Sequence, residues 1–364
     1  MKPFLPLGQV TGIGSLPHYD PEEAVAFVGQ FSPVIPFWPQ LPQRSPAEEM
    51  IGQMLSPVLD LVDKHGPAHF VIKNHRLQEF QQRLREAEAA LRESHAAGFF
   101  AFERACQSER FCHAVALKGQ VTGPATLGWC LYYEGRPLVR RLEVYADLIG
   151  YVQRLAAWQI ARLKVFGQPV ILFIDEPMVA YKSLPSFVAQ SLAALIARIR
   201  QEEAYVGIHC CAVPAPASLC TLRPDILSFD AHQGLEEFLV EPETHAFVKA
   251  GGSLAYGMVP TSNDVEHFNS FEAFVRWVYA ARDLGDVPAV AARSLITATC
   301  GLGLCKVEIA RAAFDKAMQL SHFFAKAASE EADLHLTLRG RQGGSTPAAI
   351  VSNWPQPAEE APHA

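Results

Sequence analysis

A histidine and a cysteine stand one residue apart, His209 and Cys211 in VGIHCCAVPAP, where an apolar segment runs into two prolines. In an extended chain alternate side chains share a face, so both can grip one ion while Cys210 turns into the packing behind them. Cys300, in RSLITATCGLG, closes a second apolar segment, and Asp230, in PDILSFDA, closes a third. An imidazole and two thiolates are the donors zinc takes, and the carboxylate of Asp230 would complete a tetrahedron. Such a net-negative site would hold an incoming thiol as an electron-rich thiolate, suited to attack on a methyl group. With 13 His and 8 Cys in the chain, His-x-Cys also arises by chance, and cysteine packs readily in cores. Position at a segment end is what lends the pair weight.

Other reactive residues also end apolar runs. In PVILFIDEP, Asp175 and Glu176 are adjacent and face opposite ways, so one carboxylate is expected in a pocket, where it would suit an ammonium group. The alternative for such an acid is a helix N-cap or an arginine partner. GIGS (12–15) offers backbone N–H groups and the Ser15 hydroxyl to a carboxylate, or simply a tight turn. In KGQVTGP (118–124), Gly119 and Gly123 allow close backbone approach or relieve packing, Gln120 and Thr122 face one way, and Lys118 is expected to snorkel to the rim.

The elements that must position these groups alternate. Eight β-branched or apolar runs stand at 9–17, 32–42, 113–124, 169–177, 204–212, 224–231, 252–260 and 293–303. Amphipathic helical segments lie at 20–30, 136–167, 183–203, 235–250, 263–284 and 306–329. Strands alternating with helices imply parallel pairing, and eight such units predict an α/β fold, a (β/α)8 barrel; a doubly wound open sheet is the competing arrangement. Barrel active sites gather where strands end. There the chain places Ser15, His18, Trp38, Gln40, Gln120, Thr122, Asp175, Glu176, His209, Cys211, Asp230, His232, Tyr256, Thr261, Ser262 and Cys300.

Asp20-Pro21-Glu22-Glu23 reads as a helix start, and Ser45-Pro46-Ala47-Glu48 as a capping box. Residues 44–112 are too long for one crossover and read as a helical insertion after the second strand, over the barrel mouth. One barrel domain is expected over 1–330, with a Gly/Pro/Ala-rich flexible tail at 331–364.

At 364 residues, with a net charge of −7 and a pI near 6.0, the chain has no basic block to neutralise phosphates, so nucleic acid is not an expected partner. No run of about 18 apolar residues suggests a membrane span, and the first residues lack the apolar core of a signal peptide. A cytoplasmic location follows as an expectation, with eight reduced cysteines in no disulfide-like spacing.

TGIGSLP (11–17), KGQVTGP (118–124), FIDEP (173–177), HCC (209–211), SFDA (228–231) and TCGLG (299–303) follow one another as in the catalytic domain of cobalamin-independent methionine synthase. Up to about residue 325 the chain resembles that domain and, more widely, the barrel superfamily that includes corrinoid-dependent methyltransferases and uroporphyrinogen decarboxylase. The resemblance implies zinc-dependent methyl transfer to a thiol, most naturally homocysteine to give methionine. It implies His209, Cys211 and Cys300 as zinc ligands, with Asp230 where the family uses a glutamate. Ile13, Gly14 and Ser15 would hold the homocysteine carboxylate and Asp175 its ammonium, with Gln120 beside them. No counterpart of the family's folate-binding N-terminal barrel is present in these residues, so a methylated corrinoid, or a corrinoid protein, is the expected donor and folate the other. GMVPTSN lacks the family's proton-donating histidine, with Thr261 and Ser262 nearby; the family's further homocysteine-binding glutamate has no clear counterpart, and Glu48 or Glu49 of the insertion are the acids that could approach. A decarboxylase would need paired arginines, whereas LPHYDPEE is acidic. A non-catalytic thiol- or corrinoid-binding protein is the remaining alternative.

Overall fold

A computed structural model describes residues 4–179 and 184–329; the expected tail at 331–364 lies outside the described residues. The protein is a mixed α/β molecule built on a parallel six-stranded sheet. Its strands are β3 (Leu117–Thr122), β6 (Val170–Asp175), β7 (Tyr205–Cys210), β8 (Ile226–Phe229), β9 (Ser253–Val259) and β10 (Ser294–Ala298). They pair in that spatial order, each parallel to the next. Every residue of β3, β6, β8, β9 and β10 is buried. Burial of both faces explains why these segments read as apolar runs rather than alternating ones.

Two extended segments flank the sheet. Along β10, Thr11 N–H donates to the Ile296 carbonyl (3.1 Å) and Ile296 N–H to that of Gln9 (3.0 Å). Along β3, Lys118 N–H donates to the Pro36 carbonyl (2.8 Å) and Trp38 N–H to that of Lys118 (3.2 Å). The two segments meet through Gln40 N–H on the Gly14 carbonyl (3.0 Å) and Leu16 N–H on that of Gln40 (2.9 Å). Only isolated parallel bridges form here. The reason is chemical for the second segment: Pro36, Pro39 and Pro42 remove donors that a continuous ladder needs. The arrangement is barrel-like.

Alternation sorts the concave side into layers. Ile35, Ala116, Ile171, Phe173, Ile226, Ala255 and Leu295 form an apolar cluster of their own. Gly207 has no alternative there, since a Cβ would stand 1.8 Å from the Phe173 ring. Above this plug, toward the strand ends, the same faces carry Gln120, Asp175 and His209. The outward faces pack on helices, and Tyr256, expected at the rim, belongs to them: it is fully buried against Trp277 and Phe229. Trp38 likewise turns away, its indole N–H donating to Gln159 Oε1 at 3.0 Å.

The helix start at Asp20 forms as written, with its side chain accepting from Glu22 N–H at 2.7 Å ahead of the helix Pro21–Phe31. The expected capping box does not. Ser45 accepts from Ala47 N–H, but Glu48 pairs with Arg44 at 2.8 Å, and only a short 3-10 turn, Pro46–Glu48, results. Residues 44–112 also hold a hairpin, β1 (Val62–Gly66) with β2 (His69–Ile72), which joins β4 (Leu131–Tyr133) and β5 (Arg136–Pro137) in a second sheet. The insertion is therefore not purely helical. It is tied to the end of β3 by Thr122 Oγ1 on the Met50 carbonyl (2.9 Å) and to the second extended segment by Gln40 Nε2 on Gln53 Oε1 (2.8 Å).

Candidate metal centre

His209 is next to last in β7 and sits in register with Asp175 of β6 and Ser228 of β8. Its Nδ1 is 2.9 Å from Ser228 Oγ, whereas its Nε2 is buried with no partner among the described residues. Cys211 follows β7 directly, and Cys300 lies just past β10. One ligand atom from each of His209, Cys211 and Cys300 falls within 4.8 Å of the other two. The parallel sheet brings this about: strand ends far apart in sequence share one edge of the fold.

The group is graded in depth, with His209 buried, Cys211 half-buried and Cys300 exposed. Cys300 is held well below the usual thiol range, first by a hydrogen bond from Cys211, then, against burial, by His209. Cys211 is pushed upward by that same bond and by burial. Of the two sulfurs, the exposed one is thus the more readily deprotonated. A buried imidazole nitrogen without a partner beside two cysteine sulfurs is a donor set that fits zinc. His65 and His69, by contrast, belong to the exposed hairpin.

Asp230 is not a member of the 4.8 Å group. Its Oδ1 accepts from Gln233 N–H at 3.0 Å and caps the helix Ala231–Leu239. Burial raises its carboxyl, and the Cys300 charge acts in the same direction, which puts it electrostatically within reach of the cluster.

Asp175 faces inward and its Oδ1 is buried with no partner among the described residues. Burial raises this carboxyl, opposed by His209 and then Lys118. Glu176 points the other way, as alternation requires. Its Oε1 accepts from Ala125 N–H (3.0 Å), and its Oε2 from Thr126 N–H and Oγ1 (both 2.7 Å), capping the helix Pro124–Cys130. Burial lifts Glu176 to about 7, against the bonds from Thr126 and Ala125.

Lys118 does not snorkel. It is fully buried, its Nζ donating to the Ile13 carbonyl at 2.7 Å and standing 4.5 Å from the Phe173 ring centre. Burial pulls its ammonium downward and Asp175 raises it. The reason is reach: Lys118 shares the inward face with Gln120 and Thr122, and a carbonyl, a ring face and a carboxylate receive its charge inside. Gln120 Nε2 donates to the Trp38 carbonyl at 3.1 Å. Gly14 adopts φ +156°, and a Cβ there would meet the Gln120 side chain at 2.8 Å, so glycine lets these two segments touch. Ser15 Oγ accepts from Gly303 N–H at 3.1 Å, linking the first segment to the loop of Cys300.

Thr261 is half-buried and Ser262 exposed, the latter capping the short turn Asn263–His267. Glu48 is committed to Arg44 and Glu49 pairs with Lys64. Sequence reasoning missed Ser228; its place two residues before Asp230, on the same strand face, was the available signal.

Neither a family model nor a curated relative matches the chain. Among solved structures, one described as a methyltransferase from Methanosarcina mazei is similar, with a TM-score of 0.50 at 9% identity over 85% of this chain and 93% of that one. A second, described as a candidate vitamin-B12-independent methionine synthase from Listeria monocytogenes, gives 0.41 at 13% identity over 74% and 76%. At such identities the first likeness is one of fold. No helix among the described residues is long and apolar enough to cross a membrane.

Proposed function

We propose that this chain is a zinc-dependent methyltransferase that moves a methyl group to a thiol, with homocysteine as acceptor and a methylated corrinoid, or else a methylated folate, as donor. The observation that carries the reading is the convergence of His209, Cys211 and Cys300, with the orphaned Nε2 of His209 at its buried end. A fold shared with a protein described as a methyltransferase supports it. We read segments 9–15 and 36–40 as the remaining staves of a closed (β/α)8 barrel, one domain within 1–330.

His209, Cys211 and Cys300 would hold the zinc, leaving a further position for the acceptor sulfur or for Asp230. Zinc in this cage supplies the positive charge that keeps a thiol deprotonated while two protein sulfurs preserve its nucleophilicity. Ser228 fixes the His209 ring so that Nε2 faces the sulfurs. Asp175, with Oδ1 uncommitted, would accept the acceptor's ammonium group. The Ser15 hydroxyl accepts from Gly303 and so keeps its own proton free to donate to a carboxylate; Ile13, Gly14 and Gln120 would frame that group. No general base is needed for an acceptor already deprotonated, so the residues contribute alignment and charge.

The test crosses homocysteine, cysteine and 2-mercaptoethanol with methylcobalamin and methyltetrahydrofolate, using zinc-loaded protein, and reads methylated thiols by mass spectrometry. Methionine from homocysteine and methylcobalamin is expected. Failure of every combination would overturn the proposal.

A further inference from the structure

Beyond Cys300 the chain passes Leu304 and Lys306 into the helix Val307–Ser329, and there it faces Pro17–Tyr19 and the helix Pro21–Phe31 across a cleft of about 780 Å3. That volume suits a small organic molecule. The two walls are tied together, since Leu302 N–H donates to the Ser15 carbonyl at 3.0 Å.

Three observations give the cleft a chemistry. First, Lys306 and Arg311 both line it, both are exposed, and neither side chain makes a hydrogen bond or ion pair among the described residues. Arg311 rests on the Phe31 ring at 5.5 Å, which fixes its guanidinium without consuming its donors. In a chain of net charge −7, two cations without a hydrogen-bonded acid face one cleft; the acids near them are Glu23 on its wall and Asp315, one turn beyond Arg311. Second, the helix Val307–Ser329 begins with Lys306 in the capping position, whose carbonyl accepts from Ala310 N–H at 3.1 Å. A lysine side chain offers no acceptor, and the N–H groups of this first turn, which also carries Glu308, present the positive end of the helix. Third, His18 lines the cleft at 7% exposure, with Nδ1 unpartnered among the described residues. Its ring lies 5.1 Å from that of Phe27, and exposed Tyr19 and Leu304 extend this apolar surface.

We propose that this cleft binds a small organic anion, a phosphate or carboxylate carried on an apolar body, with the anion against Lys306, Arg311 and the first turn of the helix and the body against Tyr19, Phe27 and Leu304. Helix N-termini flanked by cations recognise such groups through convergent N–H donors and charge. The site uses none of the sulfur ligands, so anion binding and metal binding stand or fall separately.

The test is calorimetric titration of the full chain, in a buffer free of phosphate and carboxylate, with phenyl phosphate, benzoate, inorganic phosphate and benzyl alcohol. Saturable binding of phenyl phosphate or benzoate, with Kd of about 1 mM or tighter, is expected, and the preferred probe identifies phosphate or carboxylate as the recognised group. Benzyl alcohol should bind at least about tenfold more weakly, and Lys306→Gln and Arg311→Gln should each weaken the anion by roughly tenfold. Both positions are exposed, so the unfolding midpoints should stay at the wild-type value. Absence of saturable binding by both organic anions up to about 10 mM, equal binding of the alcohol, or wild-type affinity in both folded variants would overturn the proposal.

Discussion

The Nδ1 of His209 stands 2.9 Å from the Oγ of Ser228, one strand away in the parallel sheet. When Nε2 faces a metal, Nδ1 carries the ring proton and donates it to the serine oxygen, which fixes both tautomer and ring plane. Ser228→Ala should therefore weaken zinc binding by roughly 10- to 100-fold while leaving the ligands in place. Competition with a chromophoric chelator measures this; unchanged affinity would mean the serine only fills space.

The sulfurs make a chemical prediction for metal-free protein. The Cys300 thiol is held well below its usual range, chiefly by a hydrogen bond from Cys211, and Cys300 is also the exposed member of the group. Near pH 6, iodoacetamide should label Cys300 before Cys211, and zinc should protect both. Cys106, Cys130 and Cys220, pushed up to about 12 chiefly by burial, should stay unlabelled. Peptide mass spectrometry reads the order, and prior labelling of Cys211 would contradict it.

Glu176 gives a pH dependence with a definite sign. Burial raises its folded pKa to about 7 from an ordinary value of 4.5, so the folded chain holds a proton there that the unfolded chain has released. The stability advantage this proton gives is full below 4.5 and is lost as pH rises toward 7. Relative to Glu176→Gln, the wild type should be more stable at pH 5 than at pH 8 by up to about 3 kcal/mol. Urea unfolding at both pH values tests it, and a pH-independent difference would count against a protonated carboxyl at this cap.

Lys118→Met preserves length and apolar bulk but strips the Ile13 carbonyl and Asp175 of their cation. Removing one partner from a buried charged network costs about 3–5 kcal/mol, and loss of a carbonyl bond alone about 1–3. A drop in unfolding free energy of about 2–4 kcal/mol is expected from denaturant titration. A neutral substitution would show that the lysine is dispensable to the interior.

These residues also mark what a sequence can tell. The pairing of His209 with Cys211 was legible because alternation along a strand is local, and the opposite facing of Asp175 and Glu176 for the same reason. Joining Cys300 to them needed strand order, which the β/α alternation supplied. Lys118 was misread because its charge is received by the Ile13 carbonyl, 105 positions away along the chain, and by the Phe173 ring. For Asp230, expected among the ligands, the structure adds a role that alternation does not reveal: its Oδ1 accepts from Gln233 N–H at the start of the following helix. The hairpin β1–β2 escaped notice because Asp63, Lys64 and His65 lie exposed, leaving no apolar alternation to read.

Metal analysis of the purified protein bears most directly on the central claim. Wild-type protein expressed with zinc should carry one equivalent per chain, and Cys211→Ala and Cys300→Ala should each lose most of it while retaining the wild-type fold by circular dichroism. Substoichiometric zinc in the wild type, or full zinc in both folded variants, would contradict a cage built from His209, Cys211 and Cys300.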